Sequence, residues 1–266
     1  MSYKIAKDAE PQFTLLLIAT LVSIGLWIAS WYLPFVGYLV YPLQLFATFI
    51  HEGGHVLATI LTGNSVQSLT VSPDTSGAVW SQSSGWFSEL FISSAGYVGT
   101  TAFGAGLLAW KRLGWSSRGA LYGCGAIIAA LTVVFGLFAP VLNLFSTVTF
   151  GSLAFTVLSG AFLAAALVAI AHWADLKWVN FALAFITVQV LLNAVFSLFD
   201  LFFITALTSG HSDAANMAAA TGVPALFWVL LWMVISVVII SLGLRMYAVS
   251  KNSSRSESVF EDNINI

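Results

Sequence analysis

Residues 41–61 read YPLQLFATFIHEGGHVLATIL, an apolar run interrupted at its centre by His51-Glu52-Gly53-Gly54-His55. The spacing of the two histidines, i and i+4, puts both imidazoles on one face of a helix, one turn apart, where they can grip a single metal ion. Glu52 is turned off that face by about 100° and can serve as a general base toward a metal-activated water. His, Glu and His set together at membrane depth are costly, so the cluster reads as functional rather than decorative. Its two central glycines thin the helix where another chain could approach.

The surroundings of this run decide the fold class. The chain is 59% hydrophobic and 8% charged, against about 25% charged in a soluble domain. Apolar stretches long enough to span a bilayer recur at 13–33, 38–62, 89–110, 119–138, 147–172, 178–206 and 223–248. They predict an all-α polytopic membrane protein with about six to seven transmembrane helices. The expected organisation is a polar N-terminal segment over 1–12, one integral membrane domain over 13–248, and a disordered polar tail over 249–266. The first span ends in Trp31-Tyr32-Leu33-Pro34, an interfacial aromatic signature, and reads as a retained helix rather than a signal peptide. Between the second and third spans, Val66–Val71 alternates like a strand and Gly77–Trp80 can pair back on it, predicting a short β-hairpin-like loop. The spacing of Gly96, Thr100 and Gly104, and of Gly119 and Gly123, suggests tight helix packing.

Charge and cysteine content exclude other classes. A formal net charge of −2 gives no footprint for nucleic acid. Cys124 is the single cysteine, which excludes an intramolecular disulfide framework or thiolate metal cage. Lys111, Arg112, Arg118, Lys177, Arg245, Lys251 and Arg255 fall on one side if all seven segments cross, and the positive-inside rule makes that side cytoplasmic. Lys4 and Lys7 then fall outside. That conflict vanishes if the second segment is re-entrant. In either case the 63–88 and 207–222 loops share a side.

A catalytic zinc needs a third protein ligand. The candidates are Asp74, Glu89, His172, Asp200, His211 and Asp213. Asp213 is the choice, because it occupies a polar break before the last span on the side of the loop that follows the two histidines. A carboxylate on an unwound stretch there can turn toward a neighbouring helix. Asp200, an intramembrane carboxylate, is the runner-up, either as ligand or as a residue orienting one.

These motifs resemble the membrane-embedded site-2-protease group of zinc metallopeptidases, and within it the compact bacterial M50B-like branch. The resemblance rests on His51–His55, on Leu69-Thr70-Val71-Ser72-Pro73 with Ser76-Gly77-Ala78-Val79, on Ser93-Ser94-Ala95-Gly96-Tyr97-Val98-Gly99, and on Ser212-Asp213-Ala214 with Thr221-Gly222-Val223-Pro224; it covers about residues 40–235. It implies Zn2+ on His51, His55 and Asp213, with Glu52 activating the zinc-bound water of an intramembrane endopeptidase in a bacterial cell membrane. The larger group carries Asn-x-x-Pro-x-x-x-Leu-Asp-Gly around its aspartate. Asn193 and Asp200 come within one residue of that spacing without the proline, which keeps Asp200 as an alternative ligand and Asn193 as a substrate contact. The group places its zinc nearer the cytosol, whereas the charges here place the 63–88 loop on the other face. The implied partners are a membrane protein or peptide substrate, the lipid bilayer, and a regulator acting in trans.

A transmembrane substrate must unwind, because a helix hides its carbonyls in its own hydrogen bonds. Residues 66–71 are the expected strand to hold the unwound chain by strand addition. The competing class is an inactive or zinc-binding membrane scaffold or transporter. A haem bundle is a third reading, but His51 and His55 share one helix face and cannot take opposite sides of one haem, leaving only pairings with His172 or His211.

Overall fold

The computed structural model describes residues 10–82, 85–208, 210 and 212–248. The N-terminal segment before Glu10, the 249–266 tail and His211 lie outside the described residues. Helices dominate: α1 (Glu10–Tyr32), α2 (Pro34–Leu61), α3 (Trp86–Arg112), α4 (Ser117–Ala130), α5 (Ala139–Leu142), α6 (Phe150–Trp173), α7 (Leu176–Leu207), α8 (Asp213–Thr221) and α9 (Ala225–Ala248). Two strands, β1 (Ser65–Val71) and β2 (Gly77–Gln82), form the antiparallel hairpin between α2 and α3. The protein is therefore a multi-pass α-helical membrane protein with one small hairpin.

Five stretches are long and apolar enough to cross a bilayer: Phe13–Ser30, Ser117–Leu142, Phe150–Trp173, Leu176–Leu207 and Ala225–Tyr247, with mean hydropathy of 2.1 to 2.7. The other two expected segments are α2 and α3. Their 28 and 27 residues give about 40 Å of helix, but neither is among the stretches apolar enough to cross by composition. What sets them apart is content: α2 carries His51, Glu52 and His55, and α3 is rich in glycine, serine and threonine. They are the inner helices, lying side by side with Gly54 against Ala95 and Gly96.

Local chemistry sets the breaks. Ser116 caps α4 by accepting from Gly119 N–H, and Thr149 with Ser152 forms a capping box on α6. Between α4 and α5 the helix widens to a π-helix over Leu131–Phe138. Pro140 gives the reason: it has no N–H, and its ring would meet the carbonyl four residues back in an α-helix. The widened turn bonds Ala139 N–H to Val134 O instead. Of the small-residue stripes, Gly104 admits Leu191 and Val190 of α7. Gly123 faces open space, and the close approach on α4 is made by Gly125 against Val168 and Ala164.

The hairpin registers Val71 with Gly77, Leu69 with Val79 and Ser68 with Trp80. β1 is its inner strand: Leu69 and Val71 are fully buried. Its outer edge is already occupied. Thr156 Oγ1 accepts from Val71 N–H at 2.8 Å and donates to Val71 O, and Asn143 Nδ2 donates to Gln67 O at 3.2 Å. This corrects the expectation that residues 66–71 receive a substrate strand. Val71 turns its peptide groups away from β2, so by the alternation of an antiparallel ladder Gly77 and Val79 opposite turn theirs away from β1. The open edge of the sheet belongs to β2.

Candidate metal centre

His51 and His55 fall on the α2 face that looks at α3 and α8. His55 Nδ1 lies 2.7 Å from Ile92 O, so a proton on Nδ1 donates to that carbonyl and leaves the Nε2 lone pair facing inward. The two Nε2 atoms are 3.1 Å apart. Asp213 Oδ2 lies 3.4 Å from His55 Nε2 and 3.6 Å from His51 Nε2. Tetrahedral zinc, with bonds of about 2.0–2.2 Å, sets its donor atoms about 3.3–3.6 Å apart. The three donors thus form a triangle of the size one zinc requires, and among the described residues they are the group able to hold a metal.

Asp213 does not sit on an unwound stretch, as the sequence suggested. It is the first residue of α8, whose N-terminus Ser212 caps by accepting from Ala215 N–H and whose C-terminus closes on Gly222 at φ 73°. Ser212 followed by an alanine-rich run and a glycine is a legible helix, short enough to be passed over as a polar break. The cap fixes Asp213 on a rigid turn instead of a free loop.

The glycines explain how helices come this close. A Cβ on Gly96 would collide with Nε2 of both His51 and His55, and one on Gly54 would collide with the Ala95 carbonyl. Gly53, on the far side of α2, faces Leu131 at the start of the π-helix. Tyr97 stands edge-on to His51 with ring centroids 4.6 Å apart and stacks on Trp232 at 5.6 Å. Trp232 is anchored in turn by its Nε1 donating to Ser94 Oγ at 3.0 Å. Tyr97 and Trp232 thereby buttress the His51 ring, a role that the aromatic pattern of two separate spans could not disclose.

Gly96→Ala is expected to abolish stoichiometric zinc, because the added methyl must displace both imidazoles; forcing a methyl into a filled site costs about 1–3 kcal/mol. Gly99→Ala is the control, since its Cβ would rest 3.6 Å from Gly54 Cα, an ordinary contact. Metal analysis of the two purified variants checks this.

Glu52 is 5% exposed and borders the same cavity, with its carboxyl group against Gly77 at the start of β2. The cavity measures about 1510 Å³ and is lined by α1, α2, β2, α3, α7 and α8. Asn193 and Asp200 reach it from α7, with Gln189 and Ser197, as a polar stripe along the part of that helix that lines the cavity. Asp200 belongs to this wall and does not join the three-donor group. Asp74 is spent in the hairpin turn: the Ser76 hydroxyl and N–H bond its carboxylate and hold it below the usual carboxylate range. Glu89 accepts from Ser93 Oγ at 2.7 Å. His172 lies away from the cavity, 3.2 Å from the Tyr122 hydroxyl.

The sequence pattern of the peptidase M50B-like family matches residues 15–243. The chain belongs to the peptidase M50B-like family. No curated protein and no solved structure matches it. M50B-like membership spans nearly every element described above, from α1 to α9, and makes the protein a membrane peptidase at the level of the family.

Proposed function

We propose that this protein is an intramembrane zinc-dependent endopeptidase acting on membrane-associated substrates. The observation that carries the reading is the triangle of His51 Nε2, His55 Nε2 and Asp213 Oδ2, with sides of 3.1, 3.4 and 3.6 Å, beside a buried glutamate. These three side chains would hold Zn2+, which when bound supplies a Lewis acid for polarising a carbonyl and for making water acidic near neutral pH. Glu52 accepts the proton of the attacking water and returns it to the leaving amine. The hydrogen bond from His55 to Ile92 O, and the Tyr97 ring against His51, keep both imidazoles in their ligating orientation before substrate arrives. The cavity's polar wall of Gln189, Asn193 and Ser197 offers hydrogen-bonding groups to a chain whose helix has been opened.

The substrate is read as an extended strand added to the free edge of β2, whose Gly77 and Val79 peptide groups face the cavity beside Glu52. Main-chain bonds bind with little regard to side chain, which suits an enzyme cutting different membrane segments. Val79→Pro removes one outward N–H from this edge. Cleavage of a model transmembrane substrate is expected to fall by about tenfold, the worth of one hydrogen bond of roughly 1.5 kcal/mol, with zinc content unchanged. Unaltered cleavage in a variant that still binds zinc would exclude the β2 edge as the substrate strand.

A further inference from the structure

Hydrogen bonds define two ends of the helical bundle. At one, Lys111 Nζ at the close of α3 donates to Ser117 Oγ of α4, at 3.1 Å, and to Asn180 of α7. Arg118 at the start of α4 donates to the Ala171 and Ala174 carbonyls that end α6. Tyr247, in the last turn of α9, shares a small cleft with Leu107, Leu108 and Lys111. Leu15 and Leu16, near the start of α1, line the same cleft. At the other end, Asn143 and Thr147 bond Gln67 and Ser68 of β1, tying the α5–α6 loop to the hairpin. Trp232 bonds Ser94 there, and α8 bridges α7 to α9.

The metal centre belongs to the second end. Gly96, beneath the two imidazoles, is 10 residues from Trp86 and 16 from Arg112 within α3 (96 − 86 and 112 − 96), about 15 Å from one end of the helix and 24 Å from the other. All five Lys and Arg among the described residues, namely Lys111, Arg112, Arg118, Lys177 and Arg245, lie at the first end. Of the described carboxylates, Glu52, Asp74, Glu89, Asp200 and Asp213 lie in the half that holds the site, whereas Glu10 and Asp175 start α1 and α7 at the basic end. The loops carrying the cations are short, the case in which Lys and Arg set orientation and carboxylates contribute little.

We infer that the basic end is cytoplasmic and that the catalytic cavity opens on the extracytoplasmic face. Resting on the peptidase reading above, this makes the substrates membrane-associated chains cut in their extracytoplasmic half, supplied by whatever reaction exposes that half. It opposes the cytosolic placement implied by resemblance to the wider group. The first turns of α1 lie at the basic end while α2 finishes beside the hairpin, so α1 and α2 together make one net crossing rather than two.

Cysteine labelling tests the orientation without reference to activity. The full chain is expressed in bacterial cells as Gly210→Cys, in the exposed connection between α7 and α8, or as Trp115→Cys, in the exposed loop between α3 and α4. The unaltered chain, whose Cys124 is buried, is the blank. A membrane-impermeant maleimide is expected to label position 210 in intact cells and position 115 only after permeabilisation. The reverse pattern overturns the inference. If either cysteine resists labelling under both conditions, alkaline phosphatase inserted at the same position decides: activity at 210 and none at 115 supports the inference, and the opposite ends it. Glu52→Gln carrying either cysteine is expected to label identically, so a failed peptidase reading and a failed orientation give different results.

Discussion

Glu52→Gln is expected to abolish measurable peptide cleavage while leaving zinc bound at one equivalent. The carboxylate lies in the wall of the cavity against Gly77, outside the triangle of donors, so its replacement by an isosteric amide leaves the ligands intact. The amide cannot accept the proton of the attacking water, and loss of a positioned general base costs about 10²–10⁴ in rate. Metal analysis beside cleavage of a model transmembrane substrate reads both quantities in one preparation. A scaffold or transporter that uses the same histidines to hold zinc would be indifferent to this change in its own activity, so the variant separates the two classes. Retained cleavage in Glu52→Gln would remove the glutamate from the mechanism.

Glu52 was legible because its chemistry is local. His51, Glu52 and His55 fall within one turn and a half of one helix, so spacing alone fixes their relation. The spans were legible for a similar reason, since a run of about 20 apolar residues declares itself without tertiary information. The hairpin could be read from two-residue alternation, but not which of its edges is free. That depends on Thr156 and Asn143, 85 and 76 residues away from the strand residues they bond. The same limit hid the buttress of Tyr97 and Trp232, which come from different helices. Gly96 could be placed in a small-residue stripe, but its closeness to both imidazoles is a property of how α2 and α3 meet. Pro140 was visible in the sequence, yet a proline alone does not disclose whether the helix before it kinks or widens, as it does over Leu131–Phe138.

The third ligand is where sequence left two aspartates open, and the expected results for them are opposite. Asp213→Ala is predicted to lose zinc on purification, whereas Asp200→Ala is predicted to keep it. Among the described residues Asp213 supplies one of the three converging donors, and it is held there by the first turn of a capped helix. Removing a ligand is expected to weaken zinc by more than the about 10–100-fold that follows loss of an outer partner. The truncation also leaves two imidazoles without the carboxylate that faces them at 3.4 and 3.6 Å. Asp200 reaches the cavity from α7 beside Asn193 and Ser197, outside the donor triangle. Its alanine variant should change cleavage through substrate binding, raising KM with kcat little altered. Ser212→Ala provides a graded test of the same geometry: it removes the α8 cap, worth about 1 kcal/mol, and should weaken zinc by less than Asp213→Ala does. Zinc retained in Asp213→Ala and lost in Asp200→Ala would transfer the ligand to α7 and require α8 to move away from the histidines.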